Sequence, residues 1–156
     1  MRRFLVATFS HLAFAGAGFV GGLYALPILM APDAPVVEDL AALESRAIYT
    51  GEFSRDRIDS DFLHWGEGVI YLDSERITFD GKLAPGPAYR LYLSPQFVET
   101  ESAFQALKPQ MLEIGPIDTF DNFVLDVPGG VDLSAFDTVI VWCESFSQFI
   151  TSAKYR

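Results

Sequence analysis

The segment 137–143, DTVIVWC, places apolar side chains on both faces of any strand that it forms. Val139 and Val141 share one face, because side chains alternate along a strand, and Ile140 and Trp142 share the other. A strand that is apolar on both faces is typical of a sheet that is covered on both sides. The segment therefore predicts a central β-strand.

Other short runs with the same two-residue period occupy the chain from residue 47 onward, and turn sequences of the Asp-Gly, Pro-Gly-Pro and Pro-Gly-Gly kind separate them. The predicted strands are 47–53, 66–72, 76–79, 88–93, 120–127, 137–143 and 148–152. Many short strands joined by tight turns favour an all-β fold, an antiparallel β-sandwich or barrel-like domain. We expect this domain to cover residues 48–156.

Residues 4–29 carry no charged side chain. At ~1.5 Å per residue such a helix is ~39 Å long, enough to cross a hydrocarbon core of ~30 Å. Arg2 and Arg3 precede the segment and acidic residues follow it, which favours a cytoplasmic N-terminus. The sequence therefore predicts a single-pass membrane anchor at 1–30, a linker or short helix at 31–47, and a β domain on the periplasmic side of the cell membrane.

A cleaved signal peptide is the alternative for the same segment. Ala13-Phe14-Ala15 resembles a small-residue cleavage site. Cleavage there would leave 16–29 as an apolar N-terminus, so the retained anchor is the favoured interpretation.

Charge and cysteine content narrow the function classes. The formal net charge of −10 argues against a nucleic-acid partner, because phosphate contacts need clustered lysine and arginine. A single cysteine, Cys143, rules out an intramolecular disulfide. The domain must therefore be stable through its core alone.

Cys143 has two interpretations. Free cysteine is among the most buried residue types and often packs as a small apolar side chain. The negative charge of Glu144 disfavours a thiolate, so nothing next to Cys143 in the sequence activates it as a nucleophile. If Cys143 does chemistry, it does so with a metal, a haem or a partner protein.

His64 is the only histidine of the predicted outer domain, as Cys143 is its only cysteine. A thiolate and an imidazole together can ligate haem iron or copper, whereas structural zinc generally needs four protein ligands. The alternative for His64 is a turn residue whose ring bonds to the backbone. The sequence leaves both the site and the identity of any cofactor open.

Several segments, in this order, resemble the DM-thirteen family, a small β domain described as an electron-transfer module. They are 49–53 (YTGEF), His64 with the strand that follows it, 85–94 (PGPAYRLYLS), 131–136 (VDLSAF) and the strand that ends in Val-Trp-Cys143. The resemblance covers 48–155 and departs from the family pattern at 116–123 and 150–152. It implies a membrane-anchored member of bacterial type in which Cys143 is the redox residue and Cys143 with His64 holds any cofactor, haem and copper being the candidates.

Two functions follow from these observations. The first is a membrane-anchored redox or electron-transfer module that uses Cys143 as thiol or ligand and meets a redox partner. The second is a non-enzymatic module that binds or assembles another envelope protein, with Cys143 as core packing. Whether the protein is an enzyme stays open.

Overall fold

The computed structural model describes residues 1–36 and 40–156, so Val37, Glu38 and Asp39 of the predicted linker lie outside the described residues. Three α-helices and eight strands are described, with two short 3₁₀ turns at Lys108–Gln110 and Leu133–Ala135. The helices are α1 (Arg2–Met30), α2 (Leu40–Arg46) and α3 (Glu101–Leu107). The strands are β1 (Tyr49–Phe53), β2 (Gly66–Leu72), β3 (Arg76–Leu83), β4 (Tyr89–Ser94), β5 (Leu112–Ile117), β6 (Phe123–Asp126), β7 (Thr138–Cys143) and β8 (Gln148–Lys154).

The strands form two antiparallel sheets of four, in the orders β1-β2-β3-β6 and β5-β4-β7-β8. The two sheets pack face to face around one apolar core to which both contribute, for example Phe79 of the first and Val141 of the second. The predicted all-β antiparallel sandwich is therefore confirmed.

Strand β7 lies inside its sheet, between β4 and β8, and every residue of it is buried. Val141 and Cys143 face the core between the sheets. Trp142 faces the opposite side, where α3 covers the sheet and Phe104 stacks on the indole with ring centroids 3.9 Å apart. The prediction of a central strand that is buried on both faces is confirmed.

Helix α1 has the length and the apolar composition needed to cross a membrane, and none of its residues is buried within the protein. A signal sequence meets the same criteria. An apolar helix that buries nothing against its own protein needs another apolar environment, which a bilayer supplies.

The predicted Asp-Gly turn at Asp80 and Gly81 is wrong. Both residues lie inside β3, which runs on to Leu83, and Gly81 pairs with Gly68 of β2. A Cβ atom on Gly81 would collide with the backbone oxygen of Glu67. The glycine is therefore present because two strands approach closely, which is the other common use of glycine in a strand.

Two elements were not predicted. Strand β5 contains Gly115 and Pro116, residues that are typical of breaks between strands. Proline is tolerated there because β5 is an edge strand, whose outward N–H groups need no partner in the sheet. Helix α3 has seven residues, too few to show a helical period in the sequence.

Candidate functional site

Cys143 is the last residue of β7 and pairs with Tyr89 of β4. Only 2% of it is exposed. Its Sγ donates a hydrogen bond to the backbone oxygen of Pro87, at 3.1 Å. The thiol is therefore held at the end of the sandwich core, in a fixed orientation toward the loop between β3 and β4.

The surroundings keep this thiol protonated. Burial raises the pKa of Cys143, and the charge of Glu144 adds to the increase. Hydrogen bonds from the backbone N–H groups of Phe146 and Ser145 lower the pKa, but by less than burial raises it. Cys143 is thus a neutral thiol at physiological pH, as its acidic neighbour predicts, and it is not an activated nucleophile.

His64 lies in the loop between β1 and β2, where Asp61 holds it. One oxygen of Asp61 accepts the backbone N–H groups of Leu63 and His64 at 2.7 and 2.8 Å. The His64 Nδ1 atom lies 3.0 and 3.1 Å from the two oxygens of the same carboxylate. Asp61 therefore fixes both the turn and the imidazole ring.

This contact also sets the tautomer of His64. Burial alone would raise the pKa of Asp61, but the hydrogen bonds from the His64 ring and from the backbone bring it below its ordinary value. An ionised carboxylate only accepts hydrogen bonds, so Nδ1 of His64 must carry a proton. When the ring is neutral, the other nitrogen, Nε2, carries the lone pair.

Cys143 and His64 line one small cavity, together with apolar walls. The walls come from Leu63, Pro85, Gly86, Pro87, Tyr89 and Phe146, and from Leu23 and Tyr24 of α1. The two residues singled out in the sequence thus line the same cavity, at the end of the sandwich next to α1.

The size of this cavity decides which groups it can hold. Its volume is about 20 Å³, and one water needs ~10–15 Å³. A haem does not fit, because pockets that hold small molecules and cofactors have volumes of roughly 300 Å³ or more. Among residues 1–36 and 40–156, no three His, Cys, Asp or Glu side chains are grouped so as to hold a metal ion. Copper would have Cys143 and His64 as its candidate ligands here, one fewer than the His₂Cys set of a blue-copper site.

A polar cluster around Glu144, the residue after Cys143, was not predicted. The Glu144 carboxylate accepts a hydrogen bond from the Tyr92 hydroxyl at 2.5 Å. It also forms an ion pair with Lys108 Nζ at 2.7 Å. Burial alone would raise the pKa of Glu144, but the hydrogen bonds from Lys108 and Tyr92 bring it below its ordinary value. The charge next to the thiol is therefore permanent at neutral pH and is balanced by Lys108.

The cluster gives a pH-dependent stability. Because the pKa of Glu144 is lower in the folded than in the unfolded protein, its contribution is present above a pH of about 4.3 and is lost as the pH falls further. We expect Glu144→Gln to lower the urea midpoint at pH 7, and we expect the difference from the wild type to shrink as the pH falls below about 4. The exposed Glu75 provides the control, since Glu75→Gln should leave the midpoint nearly unchanged at pH 7. Equal midpoints of Glu144→Gln and wild type at pH 7 would show that the cluster does not stabilise the fold.

The comparisons with known proteins bear on these same residues. The model of the family described as Electron transfer DM13 matches residues 57–155, more than half of the chain. The chain belongs to this family. The DM13 match includes both His64 and Cys143, and it confirms the resemblance seen in the sequence motifs. Membership implies a role related to electron transfer. No curated protein and no solved structure matches the chain.

Proposed function

We propose that this DM13 protein is a membrane-anchored, extracytoplasmic electron-transfer module in which Cys143 is the redox group. The observation that carries the proposal is the shared cavity, which is lined by the thiol of an electron-transfer domain and by a His64 ring that Asp61 holds in place. Cys143 is the redox residue, and the step needs no resident cofactor.

The redox step is a one-electron oxidation of the thiol. Cys143 gives one electron to a strong one-electron oxidant of the partner protein, such as a high-potential metal centre. The S–H bond breaks, the proton is released to water, and the sulfur is left as a thiyl radical. Return of one electron from a reduced donor, with a proton from water, restores the thiol. The neutral thiol is the protonation state from which this exchange starts.

Topology supports a partner outside the cytoplasm. Arg2 and Arg3 precede α1, and no lysine or arginine occurs between its end and Arg46. The β domain follows the helix and is therefore placed on the opposite side of the membrane from the two arginines.

A second candidate function is a binding module in which Cys143 only packs. The burial of the thiol in the main core supports it. Cys143→Ser and Cys143→Ala separate the two functions. If the thiol is the redox group, both variants should consume less of a substoichiometric one-electron oxidant than the wild type does. A packing thiol would leave oxidant consumption unchanged in both variants, with a stability loss of ~1–2 kcal/mol as the only effect.

The topology and the state of the thiol are tested together by maleimide labelling. In intact spheroplasts, we expect a membrane-impermeant maleimide to leave Cys143 unlabelled in the folded protein and to label it fully once a denaturant is added. The physical reason is that burial hides the thiol and raises its pKa, so that little thiolate is present. Labelling that requires disruption of the membrane would place the domain in the cytoplasm. Rapid labelling without denaturant would show that the thiol is exposed.

A further inference from the structure

One end of the sandwich lies beside α1. We call it the helix-proximal end, and it consists of the loops at 54–65, 84–88, 118–122 and 144–147. Residues from each of these loops line grooves together with residues of α1 or with 31–34 after it. The opposite end carries the β2–β3 hairpin with Asp73, Ser74 and Glu75, and the groove there has no residue of α1.

The two sides of the helix-proximal end lie at different heights along α1. Asp121 and Trp65 line a groove with Ile28 and with 31–34, at the end of the helix. His64 and Phe146 instead line a groove with Val20, Leu23 and Tyr24. Tyr24 precedes Ala31 by seven residues, so this second side lies ~10 Å further down the helix at ~1.5 Å per residue.

That height corresponds to the surface of a bilayer. The uncharged segment 4–29 is ~39 Å long and exceeds a hydrocarbon core of ~30 Å by roughly six residues. If the excess projects on the side of the domain, Tyr24 lies at the boundary, where tyrosine is enriched in membrane helices.

Two loops of the helix-proximal end carry exposed apolar side chains. Phe62 is 84% exposed, Phe146 is 50% exposed and Leu63 is 37% exposed. Phe62 and Leu63 come from the loop before β2, whereas Phe146 comes from the β7–β8 turn. Leu63 and Phe146 line a cavity together with Leu23 and Tyr24 of α1, and Phe62 is the residue next to Leu63.

From these positions we propose that the helix-proximal end rests on the bilayer that holds α1, with Phe62, Leu63 and Phe146 inserted at the lipid surface. The occupant of the groove between α1 and His64 is then lipid. The proposal rests on the retained anchor of the proposed function and adds to it that the cavity of Cys143 opens at the membrane. Exposed aromatic and aliphatic groups gain free energy when they leave water for the lipid interface.

The charges of this end are compatible with that position. Glu144 is paired with Lys108, and Asp61 accepts hydrogen bonds from the His64 ring and from two backbone N–H groups. Asp121 belongs to the side that lies beyond the end of the helix, in water.

Nitroxide labels on the full chain in lipid nanodiscs test the proposal. Single cysteines are introduced as Phe62→Cys, Phe146→Cys and Gln148→Cys in a Cys143→Ala background, and each is labelled in turn. Gln148 lines the groove, so its label leaves Phe62 and Phe146 in place. Ser74→Cys at the opposite end is the matched control, and Ala15→Cys inside α1 reports on the anchor itself.

Power-saturation EPR compares the access of oxygen, which enters lipid, with that of a nickel chelate, which stays in water. We expect oxygen to prevail at 62, 146, 148 and 15, and the chelate to prevail at 74. If the labels at 62, 146 and 148 favour the chelate while that at 15 favours oxygen, the anchor stands and the membrane contact is wrong. Exclusion of both reagents from 62 and 146 would show a protein partner or a second copy on this end, and would also overturn the proposal. A label at 15 that favours the chelate would instead contradict the anchor of the proposed function.

Discussion

Trp142→Ala is expected to lower the free energy of unfolding of the β domain by about 3–5 kcal/mol, the cost of removing a buried tryptophan. The indole is 1% exposed and stacks on Phe104, with the ring planes inclined by only 8°. The Tyr92 ring packs edge-on against Phe104, with ring centroids 5.2 Å apart. Removing the indole would therefore leave a cavity under α3 that the rings of Phe104 and Tyr92 cannot fill.

Urea unfolding of the full chain in nanodiscs, followed by circular dichroism, measures the effect. Domains of this size are stable by only about 5–15 kcal/mol, so the variant should unfold at a much lower urea concentration. Ile48→Ala is the control, because Ile48 is 57% exposed and its loss should change the free energy by ~0.5 kcal/mol or less. Similar midpoints for the two variants would show that the cluster under α3 does not stabilise the sheet.

Gly68→Ala is expected to cost about 3 kcal/mol, for two independent reasons. The backbone of Gly68 has φ of 134°, which strains any residue with a side chain. A Cβ atom there would also collide with the backbone oxygen of Asp80 and lie 2.6 Å from the Cα of Gly81. Neither obstacle is a flexible side chain, so β2 and β3 would have to separate.

The matched control is Gly115→Ala in the edge strand β5. A Cβ atom on Gly115 would meet nothing within 4 Å, and its φ is not positive. We expect this variant to be neutral or slightly more stable, by up to ~1 kcal/mol, because alanine restricts the unfolded chain. The same urea titration compares the two, and equal losses for both variants would contradict the close approach of β2 and β3.

The sequence was informative where a pattern repeats over neighbouring residues. The two apolar faces of β7 were visible because residues 139–142 are all apolar, and the long apolar helix was visible because residues 4–29 carry no charged side chain. The candidate residues Cys143 and His64 were found because each is unique in the outer domain. Both residues line one cavity, and their shared role in a site stays a prediction.

The sequence was uninformative where the decisive contact joins distant segments. Lys108 reaches Glu144 across 36 positions, and no local pattern indicates that pair. The sequence predicted a turn at Asp80 and Gly81. Gly81 is needed because it faces Gly68 on the neighbouring strand, and that pairing joins residues that are distant in sequence. The position of Phe146 beside Tyr24 likewise depends on how the sandwich is oriented on α1.

The central claim is that Cys143 exchanges an electron together with a proton. Voltammetry of the full chain in a lipid film on an electrode tests it most directly, with wild type, Cys143→Ser and Gln148→Ala as the compared proteins. Serine keeps the size of the group and can make the hydrogen bond to Pro87, so the fold should survive. Because the thiol is protonated before oxidation, the potential should fall by ~59 mV per pH unit around neutral pH, as for one electron and one proton. We predict such a wave in the wild type and in Gln148→Ala and none in Cys143→Ser; a wave of equal size in Cys143→Ser, or no wave in the wild type, would contradict the account.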